Sequence, residues 1–267
     1  MELHGKSPLK LVVAIIPARY ASTRLPGKLL LPIAGKPLLV HTVEQAHRSR
    51  LVDRVIVAAD DERIVQAVEA AGFEAVMTSA EHPSGTDRVA EVAESLGHGT
   101  IVVNVQGDEP TISPKTIDAA ISAMLADEYA DIVTTCEKID DPADVLSPDV
   151  VKTVIGIDGR ALYFSRSPIP FPREAVRMHG SLSRALVMEP ELLHSFRKHT
   201  GLYVYRREYL LKLCGTPQSK LELSEMLEQL RAMENGAKIK VVEVTETSIG
   251  VDTAEDLERV RLIAAAT

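Results

Sequence analysis

The sequence has 267 residues, of which 45% are hydrophobic, 25% are charged and 4% are aromatic, with no tryptophan. This balance is typical of a globular protein that buries a substantial core, and we expect one domain over residues 1–267. The net charge of −8 and the shortage of aromatic side chains argue against the basic, base-stacking surface that nucleic acids require. No nucleic-acid partner is therefore expected.

The cysteines and the apolar runs indicate where in the cell the protein is expected. Cys136 and Cys214 lie far apart and outside any CxxC motif, and no apolar secretory segment follows the charges at the N-terminus. These features predict a cytoplasmic location, where thiols stay reduced. The longest apolar runs, such as Leu11–Pro17, are much shorter than the roughly 20 residues that span a bilayer, so we expect no membrane insertion.

The first half of the chain alternates between apolar, β-branched runs and amphipathic stretches. The runs predict buried strands at Leu11–Ile16, Arg54–Ala58, Ala75–Met77, Ile101–Val105 and Asp131–Thr135. The amphipathic stretches predict helices at Leu38–His47, Glu62–Ala71, Thr86–Leu96 and Pro114–Leu125. Such alternation predicts an α/β fold with a largely parallel central sheet and helices on both faces.

The pattern loosens in the second half, where a smaller subregion is expected at about residues 160–235. Strands are predicted at Val151–Ile157, Leu162–Ser165, Leu202–Arg206 and Ile239–Val244. The proline-rich, basic stretch Ser167–His199 predicts a loop with a short helix, and Leu221–Asn235 predicts one helix. A last helix should begin at Ala254, because Thr253 and Asp256 form a capping-box pattern.

The loop after the first strand, Pro17–Lys28, carries the cations Arg19, Arg24 and Lys28 together with the hydroxyl of Ser22. Ligands of parallel sheets bind beyond the carboxyl ends of the strands, where this loop lies. Arginine offers a planar fork for phosphate oxygens and lysine a point charge. The loop therefore favours a triphosphate site, with a solvated basic surface as the alternative.

Two aspartates follow strands at the same kind of position. Asp108 directly follows the run Val103–Gly107, and Asp252 precedes the last helix. Thr253 already supplies the cap of that helix. An acid beside an apolar strand is costly unless it is paired or binds a metal, and Mg²⁺ prefers carboxylate oxygens. A simple turn role is the alternative for each. With the cationic loop, the two aspartates predict metal-assisted nucleotidyl transfer.

Seven segments resemble, in order and spacing, the 3-deoxy-manno-octulosonate (Kdo) cytidylyltransferases. They are PARYASTRLPGK, SGTDR, VNVQGDEP, LYFSR, GLYVYR, EMLEQLR and GVDTAEDLERVR. The resemblance implies a Rossmann-like nucleotidyltransferase fold with a smaller sugar-binding and dimerisation extension. It also implies a homodimer that uses Mg²⁺ to convert CTP and Kdo to CMP-Kdo and pyrophosphate for lipopolysaccharide biosynthesis.

The resemblance also implies roles for individual residues. Nucleotide contacts fall at Pro17, Ala18, Arg19, Ser22, Arg24, Lys28, Ser84, Gly85 and Arg88. Magnesium ligands fall at Asp108 and Asp252, and catalytic roles at these two and at Arg19, Arg24 and Lys28. Contacts to the sugar acid fall at Gln106, Arg166, His199, Tyr203, Glu225 and Gln229, with Arg166 as the partner of its carboxylate.

The sugar-side residues also have structural interpretations. A lone histidine is more often a satisfied structural residue, and a strand tyrosine usually belongs to the core. Glu225 and Gln229 are spaced i, i+4 and are expected to share one helix face, which suits a polyol or an ordinary exposed helix.

The chain departs from the family pattern between Ser165 and His199, where it is longer. The extra material contains Arg173, Arg177, His179 and Arg184 and is expected to lie toward the sugar or the dimer contact. An 8-amino analogue of Kdo or sialic acid therefore remains an alternative substrate. A non-catalytic regulator that binds a nucleotide sugar is the alternative from another functional class.

Overall fold

The structure is a computed structural model and describes residues 10–22 and 24–265. Its strands are β1 (Val12–Ala18), β2 (Pro32–Ile33), β3 (Lys36–Pro37), β4 (Arg54–Ala59), β5 (Glu74–Met77), β6 (Ile101–Asn104), β7 (Ile132–Lys138), β8 (Lys152–Ile155), β9 (Ala161–Ser165), β10 (Arg197–Arg206) and β11 (Ile239–Glu243).

The helices are α1 (Leu38–His47), α2 (Glu62–Ala70), α3 (Gly85–Glu94), α4 (Pro114–Ala126), α5 (Pro142–Leu146), α6 (Arg173–His179), α7 (Leu182–Met188), α8 (Arg207–Cys214), α9 (Lys220–Glu225), α10 (Glu228–Glu234) and α11 (Ala254–Ala265). Short 3-10 helices span Lys28–Leu30 and Pro190–Ser195. The predicted fold class is confirmed as a mixed α/β fold with a mostly parallel central sheet. None of the described helices is both long and apolar enough to cross a membrane.

The described residues form two compact units, each made from separate pieces of the chain. Unit 1 comprises the chain up to Pro114, Val204–Cys214 and the residues from Ser248 onward. Unit 2 comprises Lys115–Tyr203 and Gly215–Thr247. The single domain expected over residues 1–267 stays a prediction.

The sheet of unit 1 has β1 at its centre. Strands β4 and β6 pair with β1 in parallel, and β5 pairs with β4 in parallel. Ala14 of β1 lies opposite Val55 on one side and Val103 on the other. Parallel strands end at one edge of the sheet, so the loops that follow β1 and β6 leave the sheet together.

The sheet of unit 2 mixes strand directions. Strand β11 runs parallel to β7, whereas β8 pairs antiparallel with both β9 and β10. Lys152, the first residue of β8, lies opposite Ser165 on β9 and Lys198 on β10. The first residue of β8 therefore pairs with both neighbouring strands.

The stretch Ser167–His199 is more ordered than expected. Instead of a loop with one short helix, it contains α6, α7, a 3-10 helix and the start of β10, five residues before the predicted strand start at Leu202. Helix α6 ends at Gly180, whose φ of 83° is left-handed, and Ser181 then caps α7. Helices of seven residues are too short to show a clear apolar period, which explains the difference.

The helix predicted over Leu221–Asn235 is wrong as a single element. A capping box of Ser219 and Glu222 begins α9, and Met226 ends it with a left-handed φ of 53° before α10 begins. Glu225 and Gln229 therefore do not share one helix face. No glycine or proline marks this break in the sequence, so the apolar periodicity runs through it.

Candidate active site

A cavity of unit 1 lies at the edge where β1 and β6 end. Its lining residues are Pro17, Arg19, Ala21, Ser22, Arg24, Lys28, Leu29, Gly85, Gln106, Gly107, Asp108 and Asp252. The cationic loop and both aspartates predicted from the sequence are thus brought together. Cations and carboxylates line the same space, which suits a phosphorylated ligand accompanied by a metal ion.

Gly107 sets the approach of the loop after β6 to β1. A Cβ at this position would lie 2.9 Å from the carbonyl oxygen of Pro17 and 3.2 Å from a methyl carbon of Leu39. The hydroxyl of Thr42 donates to the Gly107 carbonyl at 3.0 Å. Only glycine fits this close contact, and it places the next residue, Asp108, in the cavity.

Lys28 joins the two aspartates. Its ammonium donates to Oδ2 of Asp108 at 2.6 Å, to Oδ1 of Asp252 at 2.9 Å and to the Val251 carbonyl at 3.0 Å. The side chain of Lys28 is 13% exposed. Burial alone lowers the pKa of Lys28, but the two carboxylates outweigh it and raise the pKa above its usual value, so the ammonium is charged at neutral pH.

The loop residues Arg24 and Arg19 add further cations. Arg24 forms an ion pair with Oδ2 of Asp252 at 3.0 Å. Arg19 donates from Nη2 to the His82 carbonyl at 2.7 Å, while its buried Nε finds no hydrogen-bond partner among the residues that the structure describes. A buried unpaired guanidinium N–H is costly, and a phosphate oxygen in the cavity would satisfy it.

Three of the predicted nucleotide contacts do not line the cavity. They are Ala18, Ser84 and Arg88. The Ser84 hydroxyl caps α3 by accepting from the Asp87 amide at 3.1 Å, and only its neighbour Gly85 reaches the cavity. Arg88 is fully buried, donates to the Thr78 hydroxyl at 2.5 Å and forms an ion pair with Asp60 at 3.3 Å. The nucleotide contacts of Ala18, Ser84 and Arg88 therefore stay predictions.

The sequence interpretation missed residues that hold the cationic loop. Asp60 follows β4 at the same edge and accepts from the Tyr20 amide at 2.8 Å. The guanidinium of Arg63 stacks over the Tyr20 ring, 3.4 Å from its centroid. The pair Asp60-Asp61 directly after an apolar strand was a signal of the same kind as Asp108. The interpretation also missed the pairing of Lys28 with the two aspartates.

The capping-box prediction for the last helix is confirmed. The Asp256 carboxylate accepts from the Thr253 amide at 2.9 Å, and the Thr253 hydroxyl accepts from the Asp256 amide at 3.2 Å. The Val251 amide donates to the Asp108 carbonyl at 2.9 Å. These bonds place Asp252 beside Asp108.

Of the predicted sugar-side residues, Gln106 lines the cavity of unit 1 and the other five belong to unit 2. Gln106 donates to the side-chain oxygen of Asn104 at 3.3 Å. Gln229 is buried, and its amide nitrogen has no hydrogen-bond partner among the described residues. Such a group calls for an explanation, and a bound polar ligand is one.

Arg166 and Glu225 form one cluster in unit 2. The Glu225 carboxylate accepts from the Ser165 hydroxyl at 2.7 Å and from the Arg166 amide at 2.9 Å. Arg166 donates from Nε to the Glu225 carbonyl at 2.7 Å and from Nη1 to the Pro148 carbonyl at 2.9 Å. The carboxylate of Glu225 thus fixes the backbone of Arg166, while carbonyl oxygens orient its guanidinium.

His199 and Tyr203 are partly buried neighbours on β10. Nε2 of His199 lies 2.9 Å from the Thr134 hydroxyl, and the imidazole contacts the rings of Phe164 and Tyr203. Burial lowers the pKa of His199 to about 3 and raises the pKa of Tyr203. Both side chains are therefore neutral near pH 7 and can act as hydrogen-bonding groups but not as charges.

Two basic residues of the segment between Ser165 and His199 find partners within it. Arg177 pairs with Glu174 at 2.9 Å, and His179 lies 2.7 Å from the Glu189 carboxylate. These contacts neutralise charge locally, so the pairs are ordinary features of α6 and its surroundings.

Comparison with known proteins decides the family. The family described as Cytidylyltransferase matches residues 13–239. A 3-deoxy-manno-octulosonate cytidylyltransferase from Geobacter sulfurreducens is 51% identical over 93% of this chain and 97% of its own length. A protein of the same name from Trichlorobacter lovleyi is 50% identical over 94% of this chain and 97% of its own length. The chain belongs to this cytidylyltransferase family.

Solved structures agree with that assignment. The structure of a CMP:2-keto-3-deoxy-manno-octonic acid synthetase complexed with CTP matches with a TM-score of 0.86 and 41% identity, over 96% of this chain and 99% of the other. A cytidylyltransferase from Leptospira borgpetersenii matches with a TM-score of 0.62 and 17% identity, over 97% of this chain and 88% of the other. The second likeness concerns the fold alone. The resemblance to Kdo cytidylyltransferases found in the sequence is confirmed.

Proposed function

We propose that this protein transfers CMP from CTP to Kdo with release of pyrophosphate, and that the cavity of unit 1 binds CTP. The observation that carries this proposal is the convergence of Lys28, Asp108 and Asp252 in a cavity also lined by Arg19 and Arg24. Relatives named for this reaction match nearly the whole chain. The cations suit a triphosphate, and the carboxylates suit the metal that accompanies it.

The donor set of the cavity fits Mg²⁺. One carboxylate oxygen each from Asp108 and Asp252 lies within 3.0 Å of a common point, the Lys28 nitrogen. Mg²⁺ usually takes one or two carboxylates and completes its shell with water and phosphate oxygens. Among the described residues, no group of three or more His, Cys, Asp or Glu side chains is placed to hold a metal. A two-carboxylate site completed by the nucleotide is therefore our proposal.

When bound, Mg²⁺ would supply positive charge at the α-phosphate and favour the alkoxide of the attacking sugar hydroxyl. The ammonium of Lys28 and the guanidinium groups of Arg19 and Arg24 would neutralise the leaving pyrophosphate. Such fixed charges stabilise the transition state without reorganising at the moment of reaction. Positioning and electrostatics account for the transfer, so the chain needs no covalent intermediate.

The sugar acid would be held by residues of unit 2. The guanidinium of Arg166 has five N–H donors, and three of them donate to carbonyl oxygens. The other two are left for a carboxylate. Neutral His199 and Tyr203 suit hydroxyl groups. The unpaired amide of Gln229 would gain a partner from the same ligand.

One assay tests this function: pyrophosphate release from CTP, UTP, ATP or GTP, each combined with Kdo, 8-amino-Kdo or sialic acid. We expect the highest rate with CTP and Kdo, a smaller preference over UTP than over the purine nucleotides, and no activity in excess EDTA. Omission of the sugar is the control. Equal rates with all four nucleotides, or full activity in EDTA, would refute the proposal, and a preference for another acid sugar would refute its sugar assignment.

We also propose a homodimer. Phe171, Met178, Val187 and Met188 in and beside α6 and α7 are more than half exposed. Exposed apolar side chains gathered in one segment are typical of an interaction surface. Sedimentation should give about twice the mass of one chain, and Met178→Glu should lower it. Met77→Glu, at an exposed methionine of unit 1, is the control. A monomeric mass for the unaltered protein would contradict the proposal.

We further propose a cytoplasmic location. Cys136 and Cys214 are free cysteines, as is usual for proteins of a reducing compartment. Fractionation of cells with antibody detection tests this location, and recovery outside the cytoplasmic fraction would contradict it.

A further inference from the structure

Lys152 is a fully buried lysine in unit 2. Its ammonium donates to three carbonyl oxygens, those of Ser147 at 2.8 Å, Val150 at 2.5 Å and Arg166 at 2.6 Å. None of the described carboxylates lies within ion-pair distance of it. A buried lysine is costly to keep charged even when it is hydrogen-bonded, so its presence needs a reason beyond packing.

Lys152 lies between two of the predicted sugar-side residues, Arg166 and His199. Its backbone pairs with Ser165, the neighbour of Arg166, and with Lys198, the neighbour of His199. The preceding carbonyl, that of Val151, accepts from the His199 amide at 2.8 Å. The start of β8 therefore connects Arg166 and His199 through short backbone contacts.

The side chains of Lys152 and Arg166 both donate to carbonyl oxygens of the turn at residues 147–150. Lys152 binds the carbonyl oxygens of Ser147 and Val150, and Nη1 of Arg166 binds that of Pro148 at 2.9 Å. Because Lys152 also binds the carbonyl of Arg166, the ammonium fixes both the backbone of Arg166 and the turn on which its guanidinium rests.

Charges of both signs surround Lys152. Burial, and next the guanidinium of Arg166, lower the pKa of Lys152, while Glu225 and Asp144 oppose the shift. The Glu225 carboxylate is already occupied by the Ser165 hydroxyl and the Arg166 amide. The guanidinium of Arg166 therefore makes its hydrogen bonds to carbonyl oxygens, forms no ion pair with the described carboxylates, and can take up the carboxylate of a ligand.

We propose that Lys152 is a positioning residue for the sugar acid: it fixes the backbone of Arg166 and the turn on which the guanidinium of Arg166 rests, so that this guanidinium can select a carboxylate. The proposal rests on the proposed function and deepens it. It identifies the carboxylate as the group whose recognition depends on Lys152.

The test compares Lys152→Gln and Lys152→Met with Lys240→Met in steady-state kinetics. Lys240 is the matched control, because its ammonium donates to the Asp158 carbonyl at 2.9 Å at the opposite end of the β8–β9 hairpin. Each protein is assayed with Kdo and with Kdo carboxamide, which lacks the negative charge. We expect both Lys152 variants to raise the KM for Kdo about tenfold, leave the KM for CTP within about twofold and lower the preference for Kdo over its amide.

The amide comparison separates positioning from mere structural support, because a weakened fold would impair both substrates equally. An unchanged Kdo preference, or equal increases in the KM for Kdo and for CTP, would overturn the proposal. If circular dichroism shows that neither neutral variant folds, Lys152→Arg is used. This variant keeps the charge and must keep the preference for the acid; a folded variant that loses it would also overturn the proposal.

Failure of this inference and failure of the proposed function are distinguishable. If the unaltered protein does not transfer CMP to Kdo, the function itself is wrong. If it does, and the Lys152 variants behave as Lys240→Met does, only the role of Lys152 is wrong.

Discussion

Replacing Lys28 with methionine should lower turnover by about 10² to 10³, the usual effect of losing one preorganised charge contact. The ammonium that bridges Asp108 and Asp252 would no longer be available to the departing pyrophosphate. Methionine keeps the unbranched, apolar part of the side chain, so the loop should retain its packing. Steady-state pyrophosphate release measures the effect.

A second measurement on Lys28→Met needs no turnover. The ammonium competes with a metal ion for the two carboxylates, so its removal should strengthen the binding of Mn²⁺ in the absence of CTP. Titration followed by electron paramagnetic resonance measures this affinity. The opposite directions of the two effects distinguish a bridging lysine from a general loss of structure.

Lys36→Met is the control for Lys28→Met. Lys36 is also close to the cationic loop in sequence, but its ammonium pairs with Glu44 at 2.5 Å and is half exposed. Exposed pairs contribute little, so both measurements should stay near their unaltered values. Near-normal turnover in Lys28→Met would show that the loop is only a solvated basic surface. Unchanged metal binding would show that Lys28 does not compete for the carboxylates.

Replacing Arg166 with alanine should raise the KM for Kdo roughly 10²-fold, since two hydrogen bonds to a charged group are together worth about 3 kcal/mol or more. The KM for CTP should change much less, because Arg166 contacts Glu225, Met226 and Pro148 of unit 2 and not the nucleotide cavity of unit 1. Kinetics with each substrate varied in turn give the two constants.

Arg177→Ala is the control for this variant. Arg177 is an exposed arginine of the same unit, and it pairs with Glu174 at 2.9 Å. Both KM values should be unaffected by its loss. If Arg166→Ala raises the two KM values equally, the sugar carboxylate is not bound by Arg166, even though the enzyme class stands.

Regular elements with strong patterns were predictable from the sequence. Helix α1 was predicted with its observed bounds, because its buried side chains recur at helical spacing. Helix α11 was predicted from the capping box of Thr253 and Asp256. Both signals depend on neighbours along the chain, so sequence alone contains them.

Breaks and buried charges were not predictable in this way. The left-handed Met226 separates α9 from α10 without a glycine or proline to mark it. Arg88 matches a nucleotide motif, yet tertiary packing buries it against Thr78 and Asp60. A motif identifies residue types in order, but burial depends on what distant segments cover them.

The sequence by itself determined the α/β alternation, the cationic loop after β1, the acids after β6 and before α11, and the family. Only the tertiary structure decided how the charges pair. Lys28 meets Asp252 across 224 positions of sequence, and Lys152 meets the carbonyl of Arg166 between two antiparallel strands. Local patterns come from the backbone period and from capping, which act over a few residues. Ion pairs and buried donors depend on which chain segments the packed sheets bring within about 3 Å, which no local pattern specifies.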